Sequence, residues 1–163
     1  MIRVFRISTS TALALLAALL FQASTPLSVA QTQKTRAGSG DDESPLFNEY
    51  RSVRIGMTTE EVRKKLSNPN DKSDEQDFFV FNENESAQVF YDKTHKVFAI
   101  SVNFLKDARE IPTAKGVFGS DIPPKSDGSI YKMVRYPKSG CWVSFSRTAG
   151  DSPLTTVTLQ KIE

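Results

Sequence analysis

The sequence predicts an α+β fold made of two tandem units, each a short helix followed by three antiparallel strands, with helices covering one face of the sheet. Three observations predict it. A helix with marked ends lies within residues 55–69, an order of short helix and three strand-like runs occurs twice, and those runs alternate apolar and polar residues. Such alternation is typical of an antiparallel sheet that is buried on one face and open on the other.

The first helix is marked at both ends in the stretch IGMTTEEVRKKLSNP. Thr58 and Glu61 have the spacing of a capping box, in which each side chain accepts a hydrogen bond from the other residue's backbone N–H. Met57 and Val62 flank this cap at the spacing of a hydrophobic staple, and Pro69 follows the predicted end. Because so short a helix is marginal by itself, we expect Met57, Val62 and Leu66 to pack on the sheet.

Six strand-like runs follow, separated by turn-forming residues. They are DFFVFN from 77, SAQVFYD from 86, KVFAISVNF from 96, SIYKMVRY from 129, CWVSFSR from 141 and PLTTVTLQKI from 153. Before the second set, Pro112 suits a first helical position and Gly119 suits a helix end. The sequence therefore predicts unit one over residues 45–106 and unit two over residues 107–163.

Alternation assigns side chains to the two faces of the predicted sheet. The predicted core side chains are Phe98, Ile100, Val102 and Phe104 in the third run, with Cys141, Val143 and Phe145 in the fifth. The predicted open-face side chains are Ala99, Ser101, Asn103, Trp142, Ser144 and Ser146.

The N-terminal residues have the parts of a secretory signal: two arginines, an apolar run, and small residues before a cleavage site after Ala30. A membrane anchor is the alternative, but the run over 12–21 is short for a spanning helix. Residues 1–30 are thus predicted to be a signal peptide, 31–44 a flexible leader, and 45–163 a single domain. We expect export to the periplasm or the medium without a lipid anchor, because the chain's one cysteine is Cys141.

Charge and cysteine content exclude several classes of protein. The formal net charge is +2, and the two arginines of the predicted signal account for it, so the mature chain is neutral. A neutral chain without a basic cluster is not expected to bind nucleic acid. With one cysteine, no intramolecular disulfide can form, and stability must come from the core.

Residues 56–69 resemble the SmpA/OmlA (BamE-like) family, within the superfamily that also contains the β-lactamase-inhibitor protein (BLIP-like). The matching residues are Gly56, Met57, Thr58, Glu60, Glu61, Val62, Leu66 and Pro69. Ser67 stands where the family often has glycine. The resemblance implies a helix-covered sheet and a general protein-binding role, with the tandem arrangement more similar to the inhibitor side. It implies no catalytic residue.

No group of residues predicts catalysis, a cofactor or a metal site. His95 lies in a predicted surface turn without a nucleophile or carboxylate at motif spacing. Asp71, Ser73, Glu75 and Asp77 begin like a calcium loop, but the required glycine and glutamate are missing, so we expect a solvated acidic linker.

Trp142 is the leading candidate for contact with a partner, because it falls on the polar side of its strand beside Ser144. Tyr131 and Arg135 alternate on the preceding strand and are expected to join it. The alternative is that Trp142 covers an edge or packs between the two units.

The function predicted from these features is that of an exported, non-enzymatic protein-binding module, in envelope assembly or maintenance, with its partner on the open face. One alternative is a BLIP-like inhibitor of an extracellular hydrolase. A second alternative is a small enzyme with a cleft between the units, for which the sequence offers no nucleophile arrangement.

Overall fold

A computed structural model describes residues 44–163, which form a mainly β structure around a seven-stranded antiparallel sheet. The strands are β1 Asp71–Lys72, β2 Gln76–Asn82, β3 Glu85–Tyr91, β4 Val97–Phe104, β5 Ile130–Tyr136, β6 Cys141–Arg147 and β7 Thr155–Lys161. The helices are α1 Thr59–Leu66 and α2 Ala114–Phe118, with a 3₁₀ turn at Pro137–Ser139. The predicted signal peptide and all of the predicted leader except Ser44 lie outside the described residues.

The predicted fold class is wrong. The strand order is β1-β2-β3-β4-β7-β6-β5, so β7, the last strand of the predicted second unit, pairs with β4, the last strand of the first, from Ala99 to Phe104. Among the described residues only α1 has more than five helical residues, and much of the cover on the sheet is irregular chain. The repeated local pattern predicted two separate units. Hydrogen bonds between β4 and β7, which are distant in sequence, instead join all the strands in a single sheet.

The six predicted strands are confirmed as β2 to β7, with ends within two residues of the predicted runs. The second helix begins later than predicted. Its first helical residue is Ala114 rather than Pro112, because Thr113 is the N-cap and accepts a hydrogen bond from the Gly116 N–H at 3.0 Å. Gly119 ends it in the left-handed conformation at φ 74°, as predicted.

The first helix is confirmed with its capping box. Glu61 N–H donates to the Thr58 hydroxyl, and Thr58 N–H donates to the Glu61 carboxylate at 2.8 Å. The preceding segment holds the helix against the sheet, because Gly56 N–H donates to Val97 O and Val97 N–H donates to Met57 O, both at 2.8 Å. The start of α1 is therefore fixed to the first residue of β4.

One face of the sheet, the covered face, contains the buried core. Its strand side chains are Asp77, Phe79, Ala87, Val89, Tyr91, Val97, Ile100, Val102, Phe104, Tyr136, Cys141, Val143, Phe145, Thr155, Val157 and Leu159. Val62 and Leu66 of α1 are buried against it, while Met57 is half-buried. Irregular chain over 44–58 and 105–129, together with α1 and α2, supplies the rest of the cover.

The predicted core position of Phe98 is wrong. The register between β3 and β4 shifts, so that Phe90 pairs with Ala99 while Tyr91 pairs with Val97. The extra residue at this bulge is Phe98, whose ring lies 6.1 Å from the ring of Phe90, and Val97 takes the buried position. A bulge reverses the face of the residues on one side of it, which strict alternation does not anticipate.

Candidate functional site

The side of the sheet opposite the core carries three cross-strand rows of side chains, which we call the open face. Each row crosses β2, β3, β4, β7, β6 and β5 in that order. The first row is Gln76, Phe90, Ala99, Gln160, Trp142 and Arg135; the second is Phe78, Gln88, Ser101, Thr158, Ser144 and Met133; the third is Val80, Ser86, Asn103, Thr156, Ser146 and Tyr131.

The open face is nearly free of charge. Of the described residues in its three rows, only Arg135 is charged, although charged residues make up 25% of the chain. Depletion of charged residues and enrichment in aromatic ones characterise the central part of protein interfaces. Covering such a face removes water from amides, hydroxyls and rings, which costs far less than desolvating ions.

Hydrogen bonds between neighbouring strands hold the polar side chains at the centre of the open face. The Ser101 and Thr158 hydroxyls lie 3.0 Å apart, and the Thr156 hydroxyl donates to the Asn103 amide oxygen at 2.8 Å. The side chains are thereby fixed before any partner arrives, which lowers the conformational entropy lost on binding.

Apolar side chains lie at both ends of the rows. On β5, Tyr131 is 53% exposed and Met133 is 46% exposed. At the other end, Val80 and Leu105 are exposed beside Phe78 and line a shallow pocket of about 330 Å³. The open face therefore has a polar centre between two apolar margins.

A larger groove of about 820 Å³ lies where the first row meets the end of β7. Phe90, Phe98 and Ile162 give it apolar lining, and both acidic and basic side chains stand around it. The acidic ones are Asp74, Glu75, Asp92 and Glu163, and the basic ones are Lys93, His95 and Lys161. The groove is continuous with the open face, since Gln76 and Phe90 belong to both.

The four predicted partner-binding residues lie on the same face. Arg135 pairs across the strands with Trp142, while Tyr131 and Ser144 belong to the neighbouring rows of β5 and β6. Trp142 itself is half-buried, between Arg135 and Gln160, so it presents only part of its ring.

Sequence reasoning missed two exposed or half-buried apolar residues of this region, Met133 and Phe98. Met133 lies between Tyr131 and Arg135 on the same side of β5, so alternation was a sufficient signal for it. The position of Phe98 could be predicted only with knowledge of the bulge between β3 and β4. The groove beside it depends on tertiary structure, because residues at the ends of β3 and β7 line it together.

The predicted solvated acidic linker is wrong at Asp77, which is 0% exposed on the covered face. Arg63 of α1 donates to both carboxylate oxygens, at 2.9 and 2.8 Å, and Tyr91 donates its hydroxyl at 2.7 Å. Burial and the bond to Asp77 raise the pKa of Tyr91. These bonds make Asp77 a link between α1 and the sheet, because a buried carboxylate requires such partners.

A second polar cluster joins the N-terminal segment to β3. Arg51 and Ser52, with φ of 47° and 64°, form the tight turn between Tyr50 and Val53 without the glycine or asparagine that such turns favour. The Arg51 guanidinium donates twice to Glu85 at 3.1 Å and lies over the Phe81 ring. The Tyr50 hydroxyl also donates to Glu85, and these contacts hold the turn in its strained conformation.

The remaining titratable candidates lie apart from one another. His95 is exposed in a turn at φ 55°, and Cys141 is a buried free thiol whose pKa is raised by burial. Within residues 44–163, no group of three or more histidine, cysteine or acidic side chains is placed to hold a metal ion. No helix in the same range has the length and apolar character needed to cross a membrane.

Comparisons of the chain with protein-family models, with curated proteins and with solved structures give no match. The sequence and the geometry of the open face are therefore the grounds for a functional assignment.

Proposed function

We propose that this chain is an exported, non-enzymatic protein-binding module that holds a partner protein on the open face, in assembly or maintenance of the bacterial envelope. The observation that carries the proposal is the lack of charge on that face. Exported status rests on the signal-like N-terminal residues, and the envelope role rests on the resemblance of residues 56–69 to the SmpA/OmlA family.

The open face is suited to a large, mostly uncharged protein surface. Its polar groups are small and ordered, so a partner's backbone and side-chain groups can exchange hydrogen bonds with them. Its apolar margins at Tyr131 and Val80 offer anchors of the kind that dominate binding energy in interfaces. Arg135 supplies the one charge, which favours an acidic or aromatic group opposite it.

Affinity capture from envelope and culture fractions tests the proposal with two variants. Ser144→Glu places a charge at the centre of the open face, where a partner would have to desolvate it. Trp142→Ala removes the largest side chain of the first row. Both are expected to lower recovery of the partner at least about tenfold, the factor that corresponds to about 1.4 kcal/mol.

The matched control is Ser152→Glu, which makes the same substitution at an exposed loop position after β6, outside the three rows. It should leave recovery unchanged. Equal recovery by all three variants would contradict the proposed surface. Capture of a hydrolase whose activity falls in proportion to added protein would instead favour the inhibitor alternative.

A further inference from the structure

The two edges of the sheet differ in how their backbone groups are satisfied. Beside β2, Asn70 N–H donates to Phe78 O at 2.8 Å, and Val80 N–H donates to the Asn70 side chain at 2.7 Å. Ser73 N–H donates to Gln76 O at 2.8 Å, and β1 pairs with Phe78 and Asp77. This edge is closed by the chain itself.

The opposite edge is β5, which within residues 44–163 pairs only with β6, in an unbroken register of seven residue pairs without a bulge. Ile162 N–H donates to Gly140 O, so the backbone groups of Cys141 and of alternate residues after it point toward β5. The outward groups of β5 are therefore those of Tyr131, Met133 and Arg135. Among the described residues, none donates to or accepts from them across this edge.

We propose that β5 pairs antiparallel with β5 of a second copy of this chain, about a two-fold axis at Met133. In that register Met133 faces the partner's Met133, Tyr131 faces the partner's Arg135, and Lys132 faces the partner's Val134. Every outward N–H and C=O of the three residues then meets a backbone group of the other strand.

The side chains favour this register over its neighbours. Tyr131 opposite an arginine gives a cation–π pair on each side of the axis, and the apolar Met133 lies at the centre. Registers centred on Lys132 or Arg135 place like charges directly opposite each other, which is destabilising. A register centred on Val134 places Tyr131 opposite Pro137, which has no N–H to donate.

The pairing would join two open faces edge to edge, because Tyr131, Met133 and Arg135 each end one of the three rows. The result is a continuous sheet in which the largely uncharged surface is doubled. The inference concerns the edge of the sheet and stands independently of the function proposed above.

Cross-linking tests the register. In the variant Met133→Cys, the two thiols would lie at the axis with Cα atoms about 5.5 Å apart, within the range for a disulfide. The matched control is Val80→Cys, because Val80 and Met133 are each 46% exposed on the open face but Val80 lies by the closed edge. Cys141 is buried in both proteins.

Mild oxidation is expected to give a covalent dimer of the Met133→Cys protein at least about ten times faster than of the Val80→Cys protein. Equal rates would overturn the proposal. Cross-linking of position 133 to a different protein from an envelope extract, without the homodimer, would also overturn it and would assign the edge to a foreign strand.

Sedimentation velocity over a range of concentrations tests whether the natural chain self-associates. Because the Met133 N–H points outward, Met133→Pro removes a group needed for pairing without breaking a β5–β6 bond. We expect a concentration-dependent dimer for the natural chain and a dimer dissociation constant at least tenfold higher for Met133→Pro. Circular dichroism checks that the Met133→Pro protein is folded. A natural chain that stays monomeric up to about 1 mM would overturn the proposal.

Discussion

The first half of the described chain, residues 44–104, and the second half, residues 105–163, supply three long strands each but cover the sheet differently. In the first half the eight-residue α1 is tied to β2 by the Arg63–Asp77 pair. In the second half the five-residue α2 covers the sheet with Ala114 and Val117, while Phe118 lies under the Lys132 ammonium at 5.1 Å. Two halves with similar strand patterns therefore differ in the helices and side chains that pack over the sheet.

The largest expected effect comes from breaking the polar link of the first half. Arg63→Met leaves the Asp77 carboxylate buried without its positive partner, which should lower the free energy of unfolding by about 3–5 kcal/mol. The urea midpoint measures the loss. Lys65→Met, at an exposed position of the same helix, should change it by less than about 0.5 kcal/mol. Equal losses of unfolding free energy in the two variants would show that the Arg63–Asp77 ion pair does not stabilise the first half.

The second prediction compares the two helix ends. Ser67 ends α1 at φ 69° and ψ −165°, a conformation nearly restricted to glycine, whereas α2 ends at Gly119. We expect Ser67→Gly to raise the free energy of unfolding by about 1–2 kcal/mol and Gly119→Ser to lower it by about 1 kcal/mol. Thermal unfolding measures both changes. Ser139→Gly, where φ is not positive, should not stabilise.

The third prediction is a pH dependence of stability that arises at Glu85, in the first half. Burial opposes ionisation of Glu85, but the hydrogen bonds from Tyr50 and Arg51 outweigh it and hold the pKa of Glu85 below its ordinary 4.5. A carboxylate whose pKa is lower in the folded state than in the unfolded state stabilises the fold while it is ionised. The contribution of Glu85 to the free energy of unfolding should therefore be complete above pH 4.5 and should be lost as the pH falls through the folded pKa.

Urea unfolding of the natural chain and of Glu85→Gln, measured from about pH 7 to about pH 3, tests this sign. The difference in stability should be largest near neutrality and should shrink in acid. The exposed Glu83→Gln serves as control and should show little difference at any pH. A constant difference for Glu85→Gln would contradict the assignment.

The smallest expected effect concerns the rate at which a thiol reagent labels Cys141, in the second half. Because burial raises its thiol pKa, little reactive thiolate is present in the folded state at mildly alkaline pH. A thiol reagent should therefore label the native chain slowly and the urea-unfolded chain rapidly. Rapid stoichiometric labelling of the native chain would mean that the cover over β6 opens freely.

Much of the candidate site could be predicted from the sequence, but not its extent. Alternation along β5 and β6 gave Tyr131, Arg135, Trp142 and Ser144 a common face, because side chains of a strand alternate whatever its neighbours are. That this face extends without interruption over six strands could not be predicted, since it depends on which strands join in one sheet.

The sequence by itself determined the local features: the capping box of α1, the glycine end of α2 and the six long strands. Each depends on bonds or spacings within a few residues, which the sequence states directly. Only the tertiary structure decided that β7 lies between β4 and β6, that Asp77 is buried and that Phe98 leaves the core. Those outcomes depend on partners far apart in the chain, and no local pattern specifies which distant partner a strand or a charge will meet.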